Sequence, residues 1–98
     1  MTRADQMRLF MEPRSVAAIG VSRKTGPGTF NLLENLLGYG YEGRLFPVNP
    51  FATEILGVKT FPRVVDLPEV PDLALISLPR DLVLAAVEQC VQKGIKAI

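Results

Sequence analysis

Three glycines and two cations are concentrated at residues 20–28, between an apolar run at residues 15–21 and a helical pattern at residues 29–37. A strand that ends in a glycine-rich loop and continues as a helix directs free backbone N–H groups and the positive end of the helix dipole at one spot. Arg23 and Lys24 add positive charge beside that spot. The combination suits a phosphate group, so we interpret the loop as the binding site of a nucleotide or a coenzyme.

The spacing of these glycines narrows the ligand class. It matches neither the dinucleotide fingerprint G-x-G-x-x-G nor the phosphate-loop pattern G-x-x-x-x-G-K-[ST]. A nicotinamide-binding fold usually has an acidic residue at the end of its second strand, where it binds the ribose hydroxyls. Here Asn49 and Pro50 follow the second predicted strand, and the next carboxylate is that of Glu54. NAD is therefore disfavoured as the ligand.

The absence of histidine and the single cysteine limit the chemistry that the chain can perform. Without histidine the sequence offers no Ser/His pair, no histidine ligand for zinc and no phosphohistidine. Cys90 alone cannot form an internal disulfide, which favours a reducing cytoplasm. These residue counts favour binding over catalysis, and we assign no catalytic residue and no metal ligand to the chain.

Charge and hydropathy argue against two classes of partner. The formal net charge is +1, whereas nucleic-acid-binding domains usually carry a strong basic excess. No apolar run approaches the length that a membrane-spanning helix needs. The 98 residues, 48% of them hydrophobic, suffice for one domain with a core. We therefore expect one globular domain, residues 1–98, that binds neither nucleic acid nor a membrane.

Strand and helix patterns alternate along the chain and would position the loop. Strands are predicted at residues 15–21, 44–48, 58–61 and 72–77 and from residue 95 onwards, helices at residues 29–37 and 81–93, and helical turns at residues 7–11 and 63–67. This alternation implies right-handed βαβ units in a Rossmann-like, doubly wound parallel sheet with strand order 3-2-1-4-5. The ligand would lie where the carboxyl ends of the first and fourth strands meet.

Two sets of residues are predicted to face the core from the two helices: Phe30, Leu33 and Leu37 in the helix after the glycine-rich loop, and Val83, Val87, Cys90 and Val91 in the last helix. Pro27 would occupy the first turn of the helix after the loop, where a missing N–H costs nothing. Gly94 would end the last helix. Residues 95–98 look like the first part of a strand, so we expect a truncated last strand and a fragment of a longer multidomain protein.

Several short segments, taken in order, resemble the N-terminal CoA-binding domain of ADP-forming acyl-CoA synthetases, such as ADP-forming acetate–CoA ligase. The same domain is similar to the N-terminus of the succinyl-CoA synthetase α-subunit. The resemblance extends from about Phe10 to Ile98. It rests on residues 15–22, Gly28 and residues 41–44, 48–50, 55–58, 72–74 and 93–97.

The resemblance implies a role for each of three loops in binding coenzyme A. The first loop would hold the CoA phosphates through its turn and its backbone: Gly20, Val21, Ser22, Gly26, Gly28 and Thr29. Arg23 and Lys24 would offset the phosphate charge. Asn49 and Pro50 would line the adenosine side. The opposing wall, near the adenine or the pantetheine, would be formed by Ser77, Leu78 and Pro79.

The resemblance also implies that the chemistry lies elsewhere. In the family a phosphorylated histidine on a second domain and an ATP-grasp unit, which uses ATP and Mg, make the thioester. This chain alone would not be an enzyme, but its parent would be a cytoplasmic ligase with further domains or a β-type ATP-grasp subunit, compatible with an oligomer. Two alternatives remain open: an NAD(H)-binding module of a redox regulator or dehydrogenase, and a non-catalytic CoA-sensing domain.

Overall fold

The computed structural model of the chain describes residues 2–21 and 31–98. Its elements, in chain order, are α1 (Arg3–Met11), β1 (Ser15–Ile19), α2 (Leu32–Gly38), β2 (Arg44–Val48), β3 (Glu54–Ile55), β4 (Val58–Lys59), a 3-10 helix (Val64–Asp66), β5 (Leu73–Ile76) and α3 (Arg80–Lys93). None of these helices is long and apolar enough to cross a membrane, within the residues that the structure describes.

The main sheet has three parallel strands in the order β2-β1-β5. Ile19, at the end of β1, is level with Val48 of β2 and with Ile76 of β5. Single parallel bridges extend the sheet at both edges, from Val48 to Phe61 and from Leu73 to Ala97. The predicted α/β, Rossmann-like class is confirmed. The full order 3-2-1-4-5 is not, because each outer segment makes one bridge and not a strand.

The prediction of a third strand at residues 58–61 is confirmed only in part, because Phe61 alone pairs in parallel with β2. The structure places β4 antiparallel to β3, with Glu54 opposite Lys59 and Ile55 opposite Val58. Leu56 and Gly57 form the connecting turn with φ angles of 54° and 79°. Two consecutive positive φ values are the backbone of a type I′ hairpin turn, which reverses the chain tightly. After this hairpin, only Phe61 returns to the edge of β2.

Pro47 lies within β2 without costing the sheet a hydrogen bond to β1. Its carbonyl oxygen accepts from the Phe61 N–H at 2.9 Å, on the side of β2 that faces away from β1. The N and C=O of one residue in a parallel strand point to the same side, so the missing proline N–H also lies on that outer side. Proline is tolerated in a strand at such an edge.

Strand β1 is buried on both sides, because helices cover both faces of the sheet. On one face Val16 packs in a cluster with Leu9 of α1, and Ala18 packs in a cluster with Leu33 of α2. On the other face Ala17 and Ile19 share a cluster with the 3-10 helix and α3. This arrangement explains why the sequence of β1 is continuously apolar.

The predicted helix after the glycine-rich loop begins three residues late and buries fewer side chains than expected. Asn31 is its N-cap, and the Asn31 Oδ1 accepts from the Glu34 N–H at 3.0 Å. Leu33 is fully buried, as predicted, but Leu37 is 40% exposed because it lies in the last turn. The predictions for Pro27 and Phe30 fall outside the described residues.

The last predicted helix is confirmed as α3, and Gly94 ends it with a φ of 98°. Cys90 is fully buried against the sheet, as predicted. Val91, however, is 62% exposed and not part of the core face, because the buried stripe runs through Ala86 and Cys90. The predicted helical turn after Phe61 is confirmed as the 3-10 helix.

Candidate functional site

The ends of three strands meet at the carboxyl edge of the sheet. The Ser77 N–H donates to the Ile19 carbonyl at 2.9 Å, and the Gly20 N–H approaches the Val48 carbonyl at 3.4 Å. These bonds continue the ladder one residue beyond β1 and β5. The loops that follow β1, β2 and β5 therefore start side by side, as the sequence predicted.

Gly20 is the point of closest backbone approach at this edge. Its φ is 91°, a value that side chains of L-residues rarely accept. A Cβ atom built there would lie 2.1 Å from the Ser77 carbonyl oxygen and 2.8 Å from the Leu78 Cδ2. Only glycine therefore allows the chain to leave β1 in this direction, past the end of β5 and into the glycine-rich loop.

Asn49 ties the end of β2 to the entrance of that loop. Its Nδ2 donates to the Val21 carbonyl at 2.8 Å, and its Oδ1 accepts from the N–H groups of Phe51 at 2.8 Å and Ala52 at 3.2 Å. The side-chain amide thus bridges two loops. Val21 is itself buried, so this bridge fixes the last described residue before the loop.

A cavity of about 570 Å³ lies over this edge, a size typical of small-molecule sites. Of the residues predicted for the site, Gly20, Val21, Asn49, Pro50 and Leu78 line it. Ser77 and Pro79 do not: Ser77 instead contributes backbone bonds to β1, and Pro79 is the N-cap of α3. The remaining predicted residues, Ser22, Arg23, Lys24, Gly26, Gly28 and Thr29, lie outside the described residues.

Besides the strand residues Ile19 and Val48, sequence reasoning missed half of the cavity wall. The residues concerned are Phe51, Pro62, Arg63, Leu82, Ala85, Ala86 and Gln89. Four of them belong to one side of α3, with the i, i+3, i+4 and i+7 spacing of a helix face. That spacing was a usable signal, but none of these four residues was predicted to belong to the site.

The N-terminus of α3 adds an electrostatic element to the site. The helix follows β5 directly, so its first turn lies at the carboxyl edge of the sheet. Its N-cap residue, Pro79, makes no capping hydrogen bond with its side chain. The first N–H groups of a helix carry a partial positive charge, which favours a negatively charged ligand.

Comparison with known proteins identifies the family. Residues 14–98 match the model of the CoA binding domain family. ADP-forming acetate–CoA ligase II of Archaeoglobus fulgidus is 42% identical over 90 residues, which cover 92% of this chain and 13% of that protein. The α-subunit of ADP-forming acetate–CoA ligase I of Pyrococcus furiosus is 36% identical over 96 residues, which cover 94% of this chain and 21% of that subunit.

Solved structures share the fold. The dinucleotide-forming acetyl-coenzyme A synthetase 1 of Candidatus Korarchaeum cryptofilum, in complex with phosphate and ADP, superimposes with a TM-score of 0.82 at 35% identity, covering 93% of this chain and 20% of that one. A hypothetical protein from Pyrococcus horikoshii OT3 superimposes with a TM-score of 0.74 at 29% identity, covering 97% of this chain and 66% of that one.

The chain belongs to the CoA-binding domain family. The resemblance noted from the sequence is thereby confirmed. The chain spans only 13% of the Archaeoglobus ligase and 21% of the Pyrococcus subunit.

Proposed function

We propose that this chain holds coenzyme A for a longer ligase that makes an acyl-CoA and releases ADP. The proposal is carried by Gly20, which has no side chain and therefore fits closely against the backbone that follows β5. A cavity large enough for a nucleotide lies over this contact. This edge is the place where parallel sheets bind phosphates, through the free N–H groups of a loop between strand and helix. The NAD alternative is not favoured, because Asn49 stands where a nicotinamide-binding fold needs a carboxylate.

The roles of individual residues follow the three loops. The CoA pyrophosphate would bind the turn at Gly20 and the loop that continues to Thr29, with Arg23 and Lys24 as counter-charges. The adenosine would lie against Pro50 and the neighbouring Phe51, whose ring is 84% exposed beside the cavity. The pantetheine arm would run across Leu78. Asn49 would act by holding the loops in place more than by touching the ligand.

The remaining chemistry is assigned to other parts of the enzyme. An ATP-grasp unit, as a further domain or as a separate β-type subunit, would supply the phosphoryl group from ATP and Mg. The Pyrococcus relatives are named as α-subunits, which supports a partner of this kind. We propose a cytoplasmic enzyme, since the single thiol of the chain suits a reducing compartment.

Calorimetric titration of the purified chain with CoA, and separately with NADH, tests the proposal. We expect CoA to bind and NADH to bind far more weakly. Ser22→Glu and Gly28→Val should each weaken CoA binding about tenfold or more, because they place charge or bulk against the phosphates. Lys24→Ala should weaken it by about threefold and flatten its salt dependence.

Lys96→Ala is the matched control for Lys24→Ala. Lys96 is exposed and precedes Ala97. Ala97 pairs with the first residue of β5, at the amino ends of the strands and so far from the cavity. Its loss should leave the CoA affinity unchanged. Wild-type levels of CoA binding in all three folded loop variants would show that the phosphate site has been misplaced, and a preference for NADH would refute the function itself.

A further inference from the structure

Arg63 gives the cavity a positive charge on the side of β2 that faces away from β1. It is the one charged residue among the described residues that line the cavity. It follows Phe61, the residue that pairs with the outer side of β2. The position was not predicted from the sequence, where Arg63 was assigned only to a helical turn.

The Arg63 guanidinium is already oriented by a carboxylate of its own turn. Its Nε lies 3.1 Å from the Asp66 Oδ2, and its Nη2 lies 3.2 Å from the Asp66 Oδ1. These two bonds use two of the five N–H donors of a guanidinium. The side chain remains 71% exposed, so its other N–H donors are open to a ligand.

The order of the segments at this edge separates Arg63 from the loop after β1. Gly20 follows β1, Asn49 follows β2, and Arg63 follows the segment beyond β2. Two strand spacings amount to about 10 Å. A ligand that places its pyrophosphate at Gly20 and its ribose at Pro50 would therefore present to Arg63 a group on the far side of the ribose.

We propose that Arg63 binds the 3′-phosphate of coenzyme A and thereby selects CoA over 3′-dephospho-CoA. The proposal rests on the proposed function, because it takes the adenosine to lie against Pro50 and Phe51. In CoA the pyrophosphate is attached to the 5′ position of the ribose and the single phosphate to its 3′ position. The two groups therefore point in different directions. Arginine suits such a phosphate because its planar fork forms charge-assisted, paired hydrogen bonds.

Titration of wild-type and Arg63→Gln protein with CoA and with 3′-dephospho-CoA tests the assignment. We expect Arg63→Gln to weaken CoA binding about tenfold and to change 3′-dephospho-CoA binding by less than about twofold. Arg63→Lys, which keeps the charge without the fork, should lose less affinity for CoA than Arg63→Gln. The preference of the wild type for CoA should also shrink as the salt concentration rises.

Arg44→Gln is the matched control. Arg44 is likewise an exposed arginine paired with a carboxylate, that of Glu69. It begins β2, however, so it lies at the amino ends of the strands, opposite the cavity. Its loss should leave the ratio of the two affinities unchanged. Circular dichroism melting of each variant shows that the chain is folded.

The outcomes separate this proposal from the proposed function. Equal weakening of both ligands by Arg63→Gln would overturn the 3′-phosphate assignment and would place Arg63 against a shared part of the ligand, such as the adenine. Unchanged binding of both ligands would overturn it as well. A wild-type chain that binds neither ligand would overturn the proposed function, and with it this assignment.

Discussion

At Gly20 the absence of a side chain lets two strand ends touch. The Ser77 carbonyl occupies the space that a Cβ would need, and it belongs to the backbone directly after β5. Neighbouring atoms that belong to a backbone cannot move aside as a flexible side chain can. Because of this contact, a shift of β1 relative to β5 would also change the shape of the site.

Gly20→Ala should destabilise the chain by about 2 kcal/mol or more, since it adds a left-handed backbone penalty to a backbone clash. Urea denaturation gives the free energy of unfolding. Gly38→Ala is the control, because Gly38 lies in α2 with no positive φ and nothing within 4 Å of its Cβ position. Equal stability of the two variants would contradict the close approach at Gly20.

Asn49 shows how a residue can be found from the sequence while its hydrogen bonds are not. Its place after β2 predicted a wall of the adenosine site, and it does line the cavity. Its amide, however, is occupied by the Val21 carbonyl and by two backbone N–H groups. The two bonds from N–H groups belong to the local turn that an Asn-Pro pair favours. The bond to the Val21 carbonyl has no sequence pattern, because it depends on how two loops approach each other.

Among the elements, α2 is the one that follows the glycine-rich loop, so its first turn helps to fix where that loop ends. Asn31 is 2% exposed and caps the helix through the Glu34 N–H. Asn31→Ala should lower the free energy of unfolding by about 1 kcal/mol, the usual cost of losing an N-cap.

Asn35→Ala is the control for the capping variant, since Asn35 is exposed within the same helix. Alanine has the higher helix propensity, so this change should be neutral or slightly stabilising. Chemical denaturation of both variants in parallel measures the difference. A loss of stability in Asn35→Ala equal to that in Asn31→Ala would show that the cap has no special role.

The strands differ in how far the sequence could predict them. The apolar run of β1 and its partner β5 were found because strands buried on both faces lack alternation. The hairpin of β3 and β4 was missed because its turn, Leu56-Gly57, lacks the usual Asn-Gly or Asp-Gly signal. Once that hairpin forms, only Phe61 is left to pair with β2, and a single bridge has no sequence signature.

The same reason explains which half of the site was missed. Gly20, Asn49 and Leu78 follow strands that the sequence identifies. Arg63 reaches the cavity only because the hairpin and the Phe61 bridge bring residues 62–63 back to the edge of β2. Its placement is a product of tertiary structure, so local patterns could not predict it.

For the molecule as a whole, Cys90 reports on unfolding. Its thiol is fully buried, and burial raises its pKa, so it reacts only when the core opens. Because the folded state holds the thiol proton more tightly, stability should fall as the pH rises through the range in which an exposed thiol ionises.

Acetyl-CoA should slow the reaction of Cys90 with a thiol reagent, because a ligand that binds only the folded chain lowers the population of the open state. At a concentration of 100 times its Kd, the slowing should approach about 100-fold if labelling requires global opening. Absorbance after addition of Ellman's reagent follows the reaction, and acetyl-CoA contributes no free thiol. Labelling that proceeds equally fast with and without saturating ligand would place the reaction in a local fluctuation.

The burial of Cys90 has a further consequence for a protein whose ligand ends in a sulfhydryl group. In an oxidising episode, CoA readily forms mixed disulfides with accessible protein cysteines. This chain has no other cysteine, and the one it has lies fully buried on the inner face of α3. It can therefore carry the reactive end of its ligand without becoming covalently trapped by it.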